Sequence, residues 1–86
     1  MKTIYKFPLE ITDEQYIEVP IGTRLLHVGV KDGILCVWGF VPDSQKPKHR
    51  RKIIIVGTGN PAGDVAVDRY IGTAQISIFV WHVFEG

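Results

Sequence analysis

A basic cluster is the densest group of side chains able to bind a charged ligand. Five of the ten Lys and Arg residues fall within positions 46–52, together with one histidine. The cluster consists of Lys46, Lys48, His49, Arg50, Arg51 and Lys52. Ammonium and guanidinium groups bind phosphate or carboxylate oxygens, and an arginine pair offers bidentate contacts. The cluster therefore predicts a site for nucleic acid, a nucleotide or an acidic protein surface. The alternative is a solvated loop balanced by acids elsewhere.

A glycine-rich stretch follows the cluster, with Gly57, Gly59 and Gly63 after an apolar run. A strand leading into spaced glycines is how dinucleotide-binding folds present backbone N–H groups to a pyrophosphate. That fingerprint must open a helix within a βαβ unit, and the residues after Gly63 favour no long helix. We expect turns with positive φ at these glycines and no dinucleotide site. An anion-holding nest is the alternative, with Thr58 and Asn60 supplying its polar side chains.

Groups suited to catalysis or metal binding are sparse. His27, His49 and His82 stand far apart in the sequence, with no pair at metal-ligand spacing. Cys36 lies among apolar and aromatic neighbours, where thiols are usually buried and inert. A dyad of Cys36 with His27 would be diagonal at best across a hairpin. We therefore expect no enzyme activity, no metal and no cofactor.

Short β-strands must position these side chains. Five prolines divide the chain into segments rich in β-branched and aromatic residues. Thr3–Phe7 and Gln15–Val19 are predicted strands near sheet edges, and the apolar run Lys52–Val56 is a predicted central strand. Arg24–Val30 and Ile34–Val41 flank the sequence Lys-Asp-Gly, which supplies the positive φ angles of a tight hairpin turn.

The C-terminal stretch Thr73–Glu85 is predicted as the longest strand, because its β-branched and aromatic residues do not gather on one side at helical spacing. Asn60 followed by Pro61 could cap one turn of helix before Tyr70. We therefore predict an all-β fold: a single domain over 1–86, built as a small barrel or two-sheet sandwich of five to six mostly antiparallel strands.

Aromatic residues occur at alternate positions of two predicted strands. Trp38 and Phe40 share one face of their strand, as do Phe79 and Trp81. Either pair belongs to the core if its face is the buried one. The alternative is that Phe79, Trp81 and Val83 form an apolar strip that a second copy of the chain covers, which predicts a homo-oligomer.

Composition narrows the class of protein further. The chain has 86 residues, of which 45% are hydrophobic and 22% charged, so it lies well clear of disordered composition. A net charge of +1 gives no overall attraction to nucleic acid or membrane, and one cysteine excludes an internal disulfide. The longest apolar run, Ile76–Phe84, is about half the length of a membrane-spanning helix. We expect a soluble protein of a reducing compartment, the cytoplasm.

Four segments together carry a family resemblance. They are Lys2–Leu9, Gly57–Pro61, Tyr70–Thr73 and His82–Glu85, which read KTIYKFPL, GTGNP, YIGT and HVFE. In order and spacing the chain resembles a family of small bacteriophage and bacterial proteins of unknown function. The basic cluster departs from that family, whose members are more acidic or neutral there. The resemblance carries no catalytic residues; it implies a small phage-type protein, for which interference with a host system is a common role.

These observations favour a non-enzymatic binding protein. It would capture an acidic protein surface or a nucleotide through the basic cluster and the neighbouring turn, with a host protein or a nucleotide signal as partner. If encoded by a phage, it would act in the host cytoplasm. The alternative function is a structural or assembly component of a virion, in which apolar strips and sheet edges mediate packing.

Overall fold

Seven β-strands account for most of the chain in the computed structural model, which describes residues 1–86. They are β1 (Thr3–Pro8), β2 (Glu14–Pro20), β3 (Arg24–Lys31), β4 (Ile34–Val41), β5 (Lys48–Gly57), β6 (Tyr70–Ile76) and β7 (Phe79–Glu85). One sheet has the order β1-β4-β3 and the other the order β2-β5-β7-β6, and all neighbours are antiparallel. The all-β prediction is confirmed, as a two-sheet sandwich rather than a closed barrel.

The predicted hairpin forms from β3 and β4. Lys31 pairs with Ile34, and the two turn residues have positive φ, 53° at Asp32 and 78° at Gly33. Positive φ at both central residues matches the right-handed twist of the flanking strands. The predicted edge positions of β1 and β2 and the central position of β5 are also confirmed.

The prediction of one long C-terminal strand is wrong. The stretch forms two strands, β6 and β7, which raises the number of strands from the predicted five or six to seven. The stretch turns back on itself, so that Ile76 of β6 pairs with Phe79 of β7. Ser77 adopts a φ of 57° at the turn, and Ile78 is 82% exposed at the tip. A serine with positive φ is uncommon, and neither glycine nor proline marks this turn in the sequence.

The segment between β5 and β6 is mostly irregular. Asn60 and Pro61 open no helix; the single helical turn is a 3₁₀ turn at Val67–Arg69. Gly59 and Gly63 have positive φ as predicted, but Gly57 does not. Gly57 instead lacks room for a side chain, because Asn60 and Trp81 pack closely against it. A Cβ there would lie 2.8 Å from Asn60 Nδ2 and 3.1 Å from the Trp81 ring. The chain has no helix long and apolar enough to cross a membrane.

The core lies between the inner faces of the two sheets. Its buried side chains are Leu9, Ile17, Val19, Val28, Leu35, Val37, Ile53, Ile55 and Val83. At one side the sheets approach closely, because a Cβ on Gly72 of β6 would lie 3.0 Å from the Cβ of Val28 on β3. Alternation along each strand then sends the remaining side chains outward, which leaves two outer sheet faces for function.

Candidate functional site

The basic cluster is mainly part of a strand, not the loop that the sequence predicted. Positions 48–52 belong to β5 and pair with β2, and only Lys46 stays in the preceding loop. Strand alternation divides the cluster between two faces. Lys48, Arg50 and Lys52 lie on the outer face, while His49 and Arg51 lie on the side of the buried Ile53.

Much of the charge of this cluster is satisfied within the chain. Arg51 forms an ion pair with Glu85 and donates from Nη1 to the Thr23 carbonyl oxygen at 2.8 Å. Lys52 Nζ lies 3.2 Å from Glu14 Oε2. The Arg50 guanidinium lies 4.1 Å from the centre of the Tyr16 ring, a cation–π contact. Lys52 and Arg50 thus tie β5 to β2, and Arg51 ties β5 to β7 and to the turn after β2.

The loop before β5 is shaped by Asp43. Its carboxylate accepts from the Gln45 backbone N–H at 2.9 Å, and its carbonyl oxygen accepts from the Lys46 N–H at 3.2 Å. The Gln45 N–H holds the pKa of the Asp43 carboxyl below its ordinary value, because the hydrogen bond favours the charged form. Lys46 is thereby positioned at a turn, with its ammonium group exposed.

Thr58 does not join the basic residues, because it lies at the other end of β5, about 20 Å beyond Lys52 at the usual rise of a strand. The chain then folds back, so that Asn60 lines one cavity together with Lys52 but with no other residue of the basic cluster. The alternative of an anion-holding nest fails as well, because the N–H groups of both residues are already used. That of Thr58 donates to the Val80 oxygen at 3.1 Å, and that of Asn60 to the Gly57 oxygen at 3.0 Å.

A hydrogen-bonded chain of three hydroxyl groups and one imidazole was not predicted from the sequence. The His82 ring contacts Thr58 Oγ1 from Nε2 at 2.6 Å and Thr73 Oγ1 from Nδ1 at 3.0 Å. Thr73 in turn bonds the Tyr70 hydroxyl group. Both ring nitrogens are thus occupied, and the contacts tie the end of β5 to β6. The pairing of Thr73 with His82 could have been found only by recognising the turn at Ser77.

The outer face of the three-stranded sheet brings together side chains that lie far apart in the sequence. We call it the aromatic face. Its members, in cross-strand register, are Ile4, Lys6, Trp38, Phe40, Arg24 and His27. Trp38 of β4 lies between Lys6 on β1 and His27 on β3, and Phe40 lies between Ile4 and Arg24. The prediction that Trp38 and Phe40 share a face is confirmed; that face is the outer one.

Charge on the aromatic face has a single sign. The strands β1, β3 and β4 contain Lys6, Arg24 and Lys31 but no aspartate or glutamate. None of these three cations takes part in the four ion pairs of the chain. The nearest acid in sequence, Asp32, lies in the hairpin turn beyond Lys31. This face therefore carries positive charge that the chain leaves free for a ligand.

The Trp38 side chain is positioned by a glycine on the neighbouring strand. A Cβ on Gly29 would lie 3.2 Å from Trp38 Cζ3, so the six-membered ring covers Gly29. The His27 ring lies beside it, with centroids 5.9 Å apart and planes at 45°. The indole is half-buried, with one side against the sheet. A planar group fixed in this way offers a preformed surface for stacking.

The predicted interface residues on β7 lie in different settings. Val83 is fully buried in the core, which contradicts its assignment to an interface strip. Trp81 is half-buried and packs against the core, while Phe79 is 57% exposed and stacks on Trp81 at 5.8 Å. Because of the β6–β7 turn, the predicted apolar strip does not form. What remains exposed is an apolar tip at Ile78 and Phe79.

The residues considered for catalysis do not converge. Cys36 is buried, pairs with Gly29 and contacts the Ile34 oxygen through Sγ at 3.4 Å. His27 pairs with Trp38, the diagonal placement that the hairpin predicted. No three His, Cys, Asp or Glu side chains group as metal ligands.

Comparisons with known proteins identify a family. No curated protein and no solved structure matches the chain. A family model described as a domain of unknown function matches residues 1–86. The match covers every strand of both sheets. The chain therefore belongs to the family Domain of unknown function (DUF7352).

Proposed function

We propose that this chain is a non-enzymatic binding protein that captures a phosphate-bearing or acidic partner on its aromatic face. The partner in this proposal is a host macromolecule, because the sequence resembles small bacteriophage and bacterial proteins. The basic cluster of β5, which the sequence favoured, takes a secondary role because Lys52 and Arg51 are paired with Glu14 and Glu85 and Arg50 lies over the Tyr16 ring.

One observation carries the proposal: an acid-free sheet face holds unpaired cations on both sides of two half-buried aromatic rings. Lys6 lies on one side and Arg24 on the other. Unpaired cations attract anions over a Debye length of about 8–10 Å, whereas a carboxylate nearby would cancel the field. Fixed rings add contact area with little loss of side-chain freedom. Both features favour binding of an anion that also has a flat or apolar part.

Charge reversal on the aromatic face should weaken anion binding. With inorganic polyphosphate as the probe, we expect titration calorimetry to show binding that weakens as salt rises. The double variant Lys6→Glu, Arg24→Glu should bind at least about tenfold more weakly, because two cations become repulsive groups. Both side chains are exposed, so the melting temperature should change little.

The matched control carries the same charge change on the other sheet. Lys48→Glu with Arg50→Glu should leave polyphosphate affinity within about twofold, since both side chains lie on the outer face of the other sheet and not on the aromatic face. Loss of binding in this control, with normal binding in the Lys6 and Arg24 variant, would move the site to β5. Absence of binding by the unaltered protein to every phosphate-bearing probe, polyphosphate included, would overturn the proposed function itself.

A second candidate function is self-assembly, the structural role in a virion that the sequence also allowed. It is favoured by the apolar tip, where Ile78 is 82% exposed beside Phe79. Sedimentation equilibrium should then show an oligomer that the variant Ile78→Ser, Phe79→Ser dissociates, because the contact loses its apolar area. A stable monomer of the unaltered protein at micromolar concentration would exclude this role.

A further inference from the structure

We propose that the partner of the aromatic face is single-stranded nucleic acid, with bases stacked on Trp38 and Phe40 and backbone phosphates near Lys6 and Arg24. This inference rests on the proposed function and names the chemical class of the ligand. It is carried by the spacing of the rings, the position of the cations and the absence of acids on this sheet.

The two rings suit unpaired bases. Trp38 and Phe40 are two residues apart on β4 and share one face, so their attachment points lie about 6.6 Å apart. Neighbouring bases along one strand of a duplex lie about 3.4 Å apart. A row of rings at twice that spacing matches a strand whose bases are splayed, each on its own ring. Every base has a flat face, so such stacking tolerates any sequence.

The cations lie where a backbone would pass. Lys6 is directly opposite Trp38 on β1, and Arg24 is directly opposite Phe40 on β3. Adjacent strands are about 4.8 Å apart, so each ring has a cation within side-chain reach. Lys31 extends the positive charge towards the hairpin turn. The three strands bear no carboxylate that would repel a phosphate.

Other anionic ligands use less of this face. A duplex hides the faces of its bases inside the stack, so it could reach the cations but not the rings. An acidic peptide would likewise neutralise Lys6 and Arg24 while leaving the ring surfaces without a stacking partner. A single strand engages both sets of groups together, which is why we favour it.

The test compares three ligands that share phosphates and differ in their bases. Fluorescence anisotropy should be recorded with a labelled thymidine strand of about twelve nucleotides, its duplex, and an abasic strand of equal length. We expect the thymidine strand to bind at least about tenfold more tightly than the other two. Trp38→Leu and Phe40→Leu should each weaken its binding roughly 5- to 150-fold, the usual loss for one stacked base.

Two further variants keep the result interpretable. Phe79→Leu removes an exposed aromatic ring from the other sheet and should leave affinity unchanged. Trp38→Tyr keeps a ring in place and should retain more affinity than Trp38→Leu, which separates stacking from damage to the fold. Circular dichroism of each variant checks that the sheets remain intact.

The outcomes separate this inference from the proposed function. Equal binding of all three ligands, lost in the Lys6 and Arg24 double variant but not in Trp38→Leu, would overturn single-strand recognition and leave the proposed function standing. The same holds if polyphosphate binds and the thymidine strand does not. If neither probe binds, both proposals fail.

Discussion

Replacing Ile53 by alanine should lower the free energy of unfolding by about 3–4 kcal/mol, the largest effect we expect for one truncation. Ile53 is completely buried at the centre of β5, between β2 and β7. Removing its outer carbons loses apolar burial and leaves a cavity in a thin core. The free energy of unfolding of such a domain is about 5–15 kcal/mol in total. The melting temperature should therefore fall by about 15–25 °C.

Ile54 provides the matched control, because it is the same residue type one position along the strand. It lies on the outer face of the four-stranded sheet and is only half-buried. Ile54→Ala should cost less than about 1.5 kcal/mol. Urea denaturation measures both changes from the transition midpoints. Equal costs for the two variants would contradict the assignment of the inner and outer faces of β5.

Charge reversal at Arg51 should also destabilise the fold, by about 3 kcal/mol. The Arg51 side chain is 19% exposed and its partner Glu85 is 14% exposed, so the pair is mostly withdrawn from water. Arg51→Glu would place two carboxylates together and leave the Thr23 carbonyl oxygen without the Arg51 donor. Arg69, at 3.7 Å from Glu85, can offset only part of this repulsion.

The neighbouring Arg50 separates this effect from a general loss of positive charge. Its side chain is exposed, forms no ion pair and lies over the Tyr16 ring, so Arg50→Glu should cost about 1 kcal/mol or less. Thermal denaturation of the two variants makes the comparison. Similar melting temperatures would show that Arg51 contributes no more than a solvated surface charge, which is the alternative that the sequence left open.

The part of the fold that the sequence predicts well is the part with local signals. Asp32 and Gly33 adopt positive φ, and the Asp-Gly signal predicted the turn, the pairing of β3 with β4 and the diagonal placement of His27 relative to Cys36. The β6–β7 turn has no such signal. Ser77 adopts a φ of 57° with neither glycine nor proline at the turn, so the continuous β-rich run was predicted as one strand.

The candidate site was predictable in its residue types but not in its position. The high proportion of Lys and Arg at positions 46–52 predicted a binding site there. The carboxylates that pair with Arg51 and Lys52, those of Glu85 and Glu14, are distant in sequence. Lys6 and Arg24 are isolated cations in the sequence, and they meet Trp38 and Phe40 only through the β1-β4-β3 order. Strand order between segments far apart in the chain is what local patterns do not determine.

The most direct test of the binding account is to map the site by nuclear magnetic resonance. Amide spectra of the ¹⁵N-labelled protein should be recorded while the thymidine strand is added. We expect the largest shifts on the aromatic face, at the backbone amides of Ile4, Lys6, Arg24, His27, Trp38 and Phe40 and at the indole N–H of Trp38. Shifts centred on 46–52 or 58–60, with the aromatic face unchanged, would contradict the account.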